Sequence, residues 1–415
     1  MKLSLFLDRL RFLVSGKRGL IKNFVWLMGL RVVQQALGLI GVYFLARLLS
    51  KDAFGNYGFL LSTLAICAIF TLPGLNNAVA QGAARGALGI YRRAVGVSFS
   101  GALVGSLICL GGWLYYEPKV PDLALAFLLV ALLFPASHGL LQWQSVLTGR
   151  EKFSKYFLLG TISALLTYSS MIAGLHFFPD EILVPVIAVI ATPALINILL
   201  TIPMLRQAYG EPAEQTALAY GLRSSLYLAI NTIANHLDKL LLFHFLSAQS
   251  VAMFMVGERL SELAKNAIQD LAAVLMPYFA RISAYTNQLD RQLKKIGFIF
   301  SAGLLLFTFT LLPWLLVTIF SERYVDAVPF AQGLMVSVAI GIHATLRARY
   351  VTAKLDGTSV RDIYFTISIV RIILTSLLVP LFGLWGAVAS TIVYRMVSTG
   401  VVHLVIAKRY LSGTN

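Results

Sequence analysis

The stretch MFMVGERLSELAKNAIQDLAAVLMPYFA (Met253–Ala280) is long enough to cross a bilayer as a helix, yet it carries five charged side chains. On a helical wheel of about 100° per residue, its polar side chains share one arc of about 140°. These residues are Glu258, Arg259, Glu262, Lys265, Asn266, Gln269 and Asp270. A charge that faces lipid costs roughly 2.5–3.5 kcal/mol at the centre of a span. The arc therefore predicts that this helix lines a water-filled cavity or holds tightly paired charges.

The composition of the whole chain places this stretch in a membrane. Of the 415 residues, 58% are hydrophobic and 13% are charged, and the mean hydropathy is +0.79. A soluble domain has an apolar share nearer roughly half. Windows of about twenty apolar residues recur twelve times: Phe24–Ala46, Phe54–Leu72, Ala94–Leu114, Leu123–Gln142, Tyr156–Phe178, Ile182–Met204, Ser224–Leu246, Val251–Ala280, Ile296–Phe320, Ala327–Leu346, Ile363–Val379 and Leu384–Ala407. The sequence therefore predicts an all-α polytopic membrane protein with twelve transmembrane helices.

Connections rich and poor in lysine and arginine alternate along these helices. The two tails and every second connection hold 24 Lys and Arg residues, whereas the opposite connections hold four: Arg47, Lys51, Lys119 and Arg323. Since basic loops stay cytoplasmic, we expect both termini on the cytoplasmic side. The formal net charge of +16 follows mostly from this bias and suits anionic lipid headgroups, so it requires no nucleic-acid partner.

Two short stretches, 197 residues apart, indicate that the halves of the chain are alike. LLSKDAFGNY (Leu48–Tyr57) follows the first predicted helix, and FLSAQSVAMF (Phe245–Phe254) follows the seventh. Because each half has an even number of spans, the halves enter the membrane in the same sense and relate by an axis along its normal. The predicted parts are an amphipathic basic cytoplasmic tail (1–23), a first six-helix lobe (24–205), a cytoplasmic linker (206–223), a second six-helix lobe (224–407) and a cytoplasmic tail (408–415).

Five motifs spread over almost the whole chain carry a resemblance to a known family. They are LARLLSKDAFGNYGFLLS (Leu45–Ser62), HLDKLLLFHFLS (His236–Ser247), MPYFARIS (Met276–Ser283), FSERYVDAVPFAQGL (Phe320–Leu334) and FGLWGAVAST (Phe382–Thr391). Their order and spacing resemble the polysaccharide-transporter branch of the multidrug/oligosaccharidyl-lipid/polysaccharide (MOP) exporter superfamily, the O-antigen-type flippases. The resemblance implies a V-shaped fold of two six-helix lobes around a central cavity, in a bacterial inner membrane.

The same resemblance implies a substrate and partners. The substrate would be an undecaprenyl-pyrophosphate-linked oligosaccharide, moved from the cytoplasmic to the outer leaflet during synthesis of lipopolysaccharide O-antigen, capsule or exopolysaccharide. Membrane lipids and the polymerase and chain-length proteins of the same pathway would be the other partners. The chain is expected to act as a monomer and as a transporter, without catalytic residues.

Charged residues within the predicted spans are the candidates for the site. Six cations (Arg31, Lys239, Arg259, Lys265, Arg371 and Arg395) outnumber four anions (Asp238, Glu258, Glu262 and Asp270). Guanidinium groups bind phosphate oxygens bidentately, so a cationic interior suits a pyrophosphate, while carboxylates and amides suit sugar hydroxyls. The expected substrate-binding residues are Arg31, Gln34, Gln35, Glu258, Arg259, Glu262, Lys265, Gln269, Arg371 and Arg395.

Several alternatives stay open at this stage. The charges are also compatible with a structural network, in which Glu262 pairs with Lys265 or Arg259, Asp238 with Lys239, or Arg371 with Asp238. The function alternatives are a multidrug/ion antiporter of the same superfamily and a membrane-embedded glycan polymerase or ligase. A net-positive interior is a poor host for cationic drugs, and the outward loops are too short to carry an enzyme's chemistry.

Coupling to H⁺ or Na⁺ is expected to involve an acidic residue, with no cofactor and no metal centre. The expected ion-coupling residues are Asp238, Glu258, Glu262 and Asp270. The resemblance extends to the lipid II flippases, in which a sodium site lies around an acidic residue of the seventh helix, and Asp238 matches that position. Arg371 on the eleventh helix would oppose a cation there, which leaves proton coupling as the competing hypothesis.

The charge bias gives the first testable prediction. A reporter fused after Asn415 should read as cytoplasmic, and reporters inserted at Tyr116 or Asp180 should read as external, because positive loops resist translocation. Paired alkaline phosphatase and fluorescent-protein fusions measure this. An external carboxyl terminus would contradict the twelve-helix topology.

Overall fold

The computed structural model describes residues 18–212, 215–282, 284–354 and 357–411. Within these ranges every regular element is a helix and no strand occurs, which confirms the all-α prediction. Most of the predicted amino-terminal tail (1–23) and the end of the carboxyl-terminal tail (408–415) lie outside the described residues.

The α-helices are α1 (Arg18–Leu48), α2 (Lys51–Cys67), α3 (Leu75–Ala84), α4 (Gly89–Tyr116), α5 (Pro121–His138), α6 (Trp143–Gly149), α7 (Phe153–Phe177), α8 (Leu183–Gln207), α9 (Gln215–Phe245), α10 (Ala248–Val274), α11 (Met276–Arg281), α12 (Asn287–Thr310), α13 (Leu312–Phe320), α14 (Val328–Ala353) and α15 (Gly357–Ile406). Short 3₁₀ turns cover Ala68–Thr71 and Glu322–Ala327, and a π turn covers Ala407–Leu411.

Nine helical segments of the described chain are long and apolar enough to cross a bilayer. One of them, Arg361–Tyr410, includes most of α15, whose 50 residues would span about 75 Å as a straight helix, against a hydrocarbon core of roughly 30 Å. Gly383 breaks α15 at a φ of +57°, a conformation that glycine adopts without a steric penalty. The helix thus has the length of two spans. The charge-bearing α9 and α10 are not among the nine segments, so the full count of twelve stays a prediction.

The chain separates into two compact units. Among the described residues, unit 1 holds those up to Gly41 together with Phe70–Phe178 and Leu183–Ser225, and unit 2 holds Val42–Ile69, Pro179–Ile182 and those from Leu226 onward. Residues 42–69, predicted in the first lobe, thus lie in unit 2. Helices α8 and α9 also extend into the predicted linker and leave only residues 208–214 between them.

Unit 1 is built from closely packed helices. Helix α4 packs along α5, and α5 and α7 both pack against α8. Gly105 on α4 faces the ring of Phe134, so a side chain larger than hydrogen would collide there. Beyond the end of α5, Trp143 Nε1 donates to Asn197 Oδ1 at 2.8 Å, and Asn197 Nδ2 donates to the Ser137 carbonyl at 2.8 Å. These bonds satisfy polar groups that the break after α5 would leave buried.

In unit 2, α2 and α10 approach through small residues. A β-carbon on Gly55 would collide with the backbone carbonyl of Ala248, and one on Gly58 would collide with the sulfur of Met255. Because glycine has no side chain, these two positions let the two helix backbones come close without a cavity between them. The contact holds α10 in place inside unit 2, together with the arc of polar side chains that this helix carries.

The two stretches that are 197 residues apart in sequence carry the same cap at the start of these helices. Ser50 Oγ and Ser247 Oγ each accept the backbone amide three residues along at 3.2 Å, which caps α2 and α10. Asp52 and Gln249, also 197 residues apart, bond to each other, with Gln249 Nε2 donating to Asp52 Oδ2 at 3.0 Å. The likeness of the two stretches therefore has a structural basis in helix capping.

A buried polar cluster surrounds Asp290 near the start of α12. Its carboxylate accepts a hydrogen bond from the Tyr285 hydroxyl at 2.8 Å and forms ion pairs with Lys294 Nζ at 2.8 Å and with Arg347 Nη2 at 3.0 Å. Burial, together with the hydrogen bond to Asp290, raises the pKa of Tyr285, so this hydroxyl remains a neutral donor. Arg347 Nη1 also lies 3.4 Å from His403 Nδ1. The cluster joins α12, α14 and α15.

This cluster explains a wrong helix boundary. The sequence predicts that the tenth span ends at Leu346, with Arg347 and Arg349 in a cytoplasmic loop, but α14 continues to Ala353. Arg347 is only 4% exposed because Asp290, 57 residues earlier in the chain, compensates its charge. A local hydropathy window cannot include such a distant partner.

Substitution of Gly55 tests the contact between α2 and α10. Gly55→Ala should destabilise the protein by about 1–3 kcal/mol, because its methyl group meets a backbone carbonyl that cannot rotate away. Gly111→Ala on α4 is the matched control, since a β-carbon there meets nothing within 4 Å and alanine favours a helix. Thermal unfolding in detergent measures both variants. Equal stability of the two variants would disprove the close packing at Gly55.

Candidate functional site

A buried network in unit 2 joins α9 to α15. Arg371 on α15 donates from Nη2 to Asp238 Oδ2 at 3.2 Å and from Nη1 to Asn235 Oδ1, both on α9. Asp238 is 2% exposed, and its Oδ1 accepts the backbone amide of Lys239 at 2.8 Å. Both oxygens of the carboxylate are therefore engaged, as a buried charge requires.

The ammonium of Lys239 has a different partner. Lys239 Nζ lies 2.6 Å from Glu258 Oε2 on α10, and one residue farther along α10 Arg259 Nη1 lies 3.4 Å from Glu262 Oε2. Of the pairings considered from the sequence, Arg371 with Asp238 and Glu262 with Arg259 are present. The side chain of Lys239 reaches Glu258 instead of Asp238.

Next to this network, unit 2 contains a cavity of about 240 Å³. Four of its described lining residues are cations: Lys265 from α10, Arg349 from α14, and Arg371 and Arg395 from α15. Neutral polar groups supply much of the remaining lining, among them Asn231, Asn235, Gln269, Ser368, Tyr364 and Tyr394. No carboxylate occurs among the lining residues that the structure describes. The cavity wall therefore attracts anions and offers hydrogen bonds to a polar ligand.

Three of the four cavity cations lack a carboxylate at ion-pair distance within the described residues: Lys265, Arg349 and Arg395. The guanidinium of Arg395 lies 4.9 Å from the ring centroid of Tyr394, and that of Arg371 lies 5.1 Å from the same centroid. The Nε atom of Arg395 is buried without a hydrogen-bond partner. Cation–π attraction compensates only part of the cost of a desolvated guanidinium, so the cavity carries uncompensated positive charge.

Apart from Asp270, the predicted site residues lie in three parts of the structure: the cavity, the adjoining ion-pair network and helix α1. Lys265, Gln269, Arg371 and Arg395 line the cavity. Asp238, Glu258, Arg259 and Glu262 belong to the adjoining ion-pair network, while Asp270 lies on α10 outside the described lining. Arg31, Gln34 and Gln35 lie on α1 in unit 1. Their roles in binding remain predictions.

Sequence reasoning missed Arg349, Tyr364 and Tyr394 as lining residues. Arg349 follows Thr345 by four residues, so both lie on one face of α14, but the wrong helix end concealed this spacing. Tyr364 precedes Arg371 by seven residues, which also places them on one face of α15. For Arg349 and Tyr364, this helical spacing is the signal in the sequence that points to the site.

The described residues contain no group of three or more His, Cys, Asp or Glu side chains arranged to hold a metal ion.

The fold is similar to that of several solved transporters. The lipid II flippase MurJ in an inward closed conformation is 12% identical, with a TM-score of 0.69 over 92% of this chain and 87% of that chain. An inward-facing multidrug resistance MATE family transporter of the MOP superfamily is 13% identical, with a TM-score of 0.60 over 92% and 96%. A MOP superfamily transporter from Pyrococcus furiosus, described by the reverse polarity of its binding pocket, is 14% identical, with a TM-score of 0.61 over 94% and 96%.

Sequence comparison gives the family. No curated protein matches the chain significantly. The family described as polysaccharide biosynthesis protein matches residues 20–283, which is more than half of the chain. Its apolar helices are those of a multi-pass membrane protein, its fold is similar to that of MOP superfamily transporters, and the family match shows that the chain belongs to the polysaccharide biosynthesis protein family.

Proposed function

We propose that the chain is a flippase for undecaprenyl-pyrophosphate-linked oligosaccharide repeat units. It moves them by alternating access from the cytoplasmic to the outer leaflet of a bacterial inner membrane, where they are used to build O-antigen, capsule or exopolysaccharide. The observation that carries this proposal is the cavity of unit 2, whose described lining has four cations and no carboxylate. Membership of a polysaccharide biosynthesis family supports a saccharide cargo.

The lining chemistry fits the two polar parts of such a substrate. Arginine and lysine side chains form charge-assisted hydrogen bonds with phosphate oxygens, and arginine can do so with two parallel bonds. Asn231, Asn235, Gln269 and Tyr364 offer neutral donors and acceptors, which suit the hydroxyls of a sugar. The polyprenyl chain, which is as apolar as a lipid tail, needs no polar site and can remain in the bilayer.

For ion coupling, the arrangement around Asp238 favours a proton over sodium. A sodium ion at Asp238 would lie beside the guanidinium of Arg371, which already engages one carboxylate oxygen at 3.2 Å. Glu262 is a better carboxylate for proton exchange, because its side chain is 36% exposed and its ion pair with Arg259 is long, at 3.4 Å. Proton coupling through Glu262 is therefore part of the proposal.

A multidrug antiporter is the second candidate, since MATE transporters share the fold. Its cargo is expected to be cationic, and the uncompensated charges of Lys265, Arg349 and Arg395 would repel a cation. A polymerase or ligase would need catalytic groups, and none of the cavity's described lining residues is a nucleophile activated by a base. The charge of the cavity thus favours the flippase.

Reconstituted transport tests the cargo. Proteoliposomes should move a fluorescent short-chain polyprenyl-diphosphate saccharide between leaflets and should not move a permanently cationic dye. The double variant Lys265→Glu/Arg395→Glu, which reverses part of the cavity charge, should reduce the initial flipping rate at least about tenfold.

Lys119→Glu is the control for this charge reversal, because Lys119 lies on a predicted external connection and interacts with the ring of Tyr115. Its flipping rate should equal that of the parent protein. Movement of the dye without movement of the lipid-linked saccharide would replace the flippase with the antiporter.

A further inference from the structure

The cations around the cavity form two groups that differ in their partners. Arg371 and Lys239 are held by Asp238 and Glu258 at 3.2 and 2.6 Å. Lys265, Arg349 and Arg395 have no carboxylate within ion-pair distance in the described part of the chain, although Lys265 is attracted over a longer distance by Glu258 and Glu262. Only the second group is available to an incoming anion without breaking an existing pair.

We infer that a diphosphate group binds in this cavity through Lys265, Arg349 and Arg395, while Arg371 is a structural residue that Asp238 and Asn235 keep occupied. This inference rests on the proposed function and assigns the residues that would recognise the charged part of the substrate. It also distinguishes the three cavity cations that bind the diphosphate from Arg371, which lines the cavity without binding it.

Charge balance supports a diphosphate rather than a neutral ligand. A diphosphate linked to a lipid and a sugar carries one negative charge on each phosphate, and the three unpaired cations exceed this charge only slightly. Three carboxylates of the adjoining network are already paired: Asp238 with Arg371, Glu258 with Lys239, and Glu262 with Arg259. A bound diphosphate would supply the missing negative charge.

The volume of the cavity and the types of hydrogen-bond donor in its wall agree with this assignment. The cavity of about 240 Å³ is smaller than the roughly 300–1,000 Å³ of pockets that enclose drug-sized ligands, so it accommodates a headgroup rather than a whole oligosaccharide. Arg395 still has an unused donor, because its buried Nε lacks a partner. Two guanidinium groups and one ammonium group are also the donors that phosphate oxygens prefer.

The three cations come from three separate helical segments, which gives binding a mechanical consequence. Lys265 lies on α10, Arg349 on α14 and Arg395 on the second segment of α15, beyond the break at Gly383. Without an anion their positive charges repel one another in a region of low dielectric. A diphosphate that bridges them replaces this repulsion with attraction, so its binding should stabilise unit 2.

Binding of inorganic pyrophosphate to the purified full chain in detergent, at low ionic strength and without divalent cations, tests the inference. Pyrophosphate should raise the melting temperature of the parent protein, and calorimetry should give its Kd. Lys265→Gln, Arg349→Gln and Arg395→Gln should each raise that Kd about tenfold, as expected for loss of one charge-assisted contact. Lys119→Gln, the exposed control, should leave the Kd unchanged.

The double variant Asp238→Asn/Arg371→Gln separates the two groups of cations. It removes both partners of the buried pair, so it should fold where Arg371→Gln alone is destabilised by an unpaired carboxylate. Its Kd for pyrophosphate should stay within about twofold of the parent value. Arg371→Lys, which keeps a charge opposite Asp238, provides the same comparison if the double variant does not fold.

Either of two results would overturn the inference: unchanged pyrophosphate binding in the Lys265, Arg349 and Arg395 variants, or loss of binding in the folded Asp238→Asn/Arg371→Gln protein. Transport distinguishes this failure from failure of the proposed function. Flipping of the lipid-linked saccharide by a parent protein that does not bind pyrophosphate would reject the diphosphate site alone. Binding that follows the inferred pattern without any flipping would reject the flippase alone.

Discussion

A charged side chain within a bilayer must be compensated by an opposite charge, by hydrogen bonds or by water, because its isolated burial costs several kcal/mol. In unit 2, Asp238 and Glu258 compensate Arg371 and Lys239 through direct ion pairs. Lys265, Arg349 and Arg395 instead line a cavity. The carboxylates near these cations are fewer than the cations themselves, so the cations without a carboxylate partner lie in the cavity wall. The number of carboxylates therefore determines the net positive charge that a ligand in the cavity meets.

The surrounding helices hold these charges in position through contacts on their other faces. Helix α10 is fixed by its close approach to α2 at Gly55 and Gly58. On α14, Arg347 binds Asp290 of α12 while Arg349, two residues later, reaches the cavity. Two residues correspond to about 200° around a helix, so one face of α14 anchors the helix and the other carries the candidate binding residue.

Much of this arrangement could be predicted from the sequence, because helices in a membrane follow from local hydropathy and the polar arc of residues 253–280 follows from helical periodicity. In the structure, Glu262 of this arc pairs with Arg259, while Lys265 and Gln269 line a cavity. The choice of partners could not be predicted. Lys239 bonds to Glu258 and Arg347 to Asp290, and both choices depend on which helices become neighbours.

The same dependence explains why local hydropathy places Arg349 in a loop and why the sequence alone does not indicate that Tyr394 belongs to the site with Arg395. A window of about twenty residues treats a cluster of arginines as the end of a span. The structure continues α14 through that cluster to Ala353 because a distant carboxylate compensates Arg347. Tyr394 could be recognised as part of the site only once α15 had placed two guanidinium groups over its ring.

We expect the charged arc of α10 to face water inside unit 2 and the opposite side of the helix to be shielded from water. Single cysteines at Gln269 and Leu271 test it most directly, in a chain whose buried Cys67 and Cys109 have been replaced. Gln269 lines the cavity, whereas Leu271 is 43% exposed in the structure without being part of the cavity lining, so lipid should cover it. In membranes, Gln269→Cys should react with a water-soluble maleimide and Leu271→Cys should not. Equal labelling of both positions, or labelling of Leu271→Cys alone, would contradict the account.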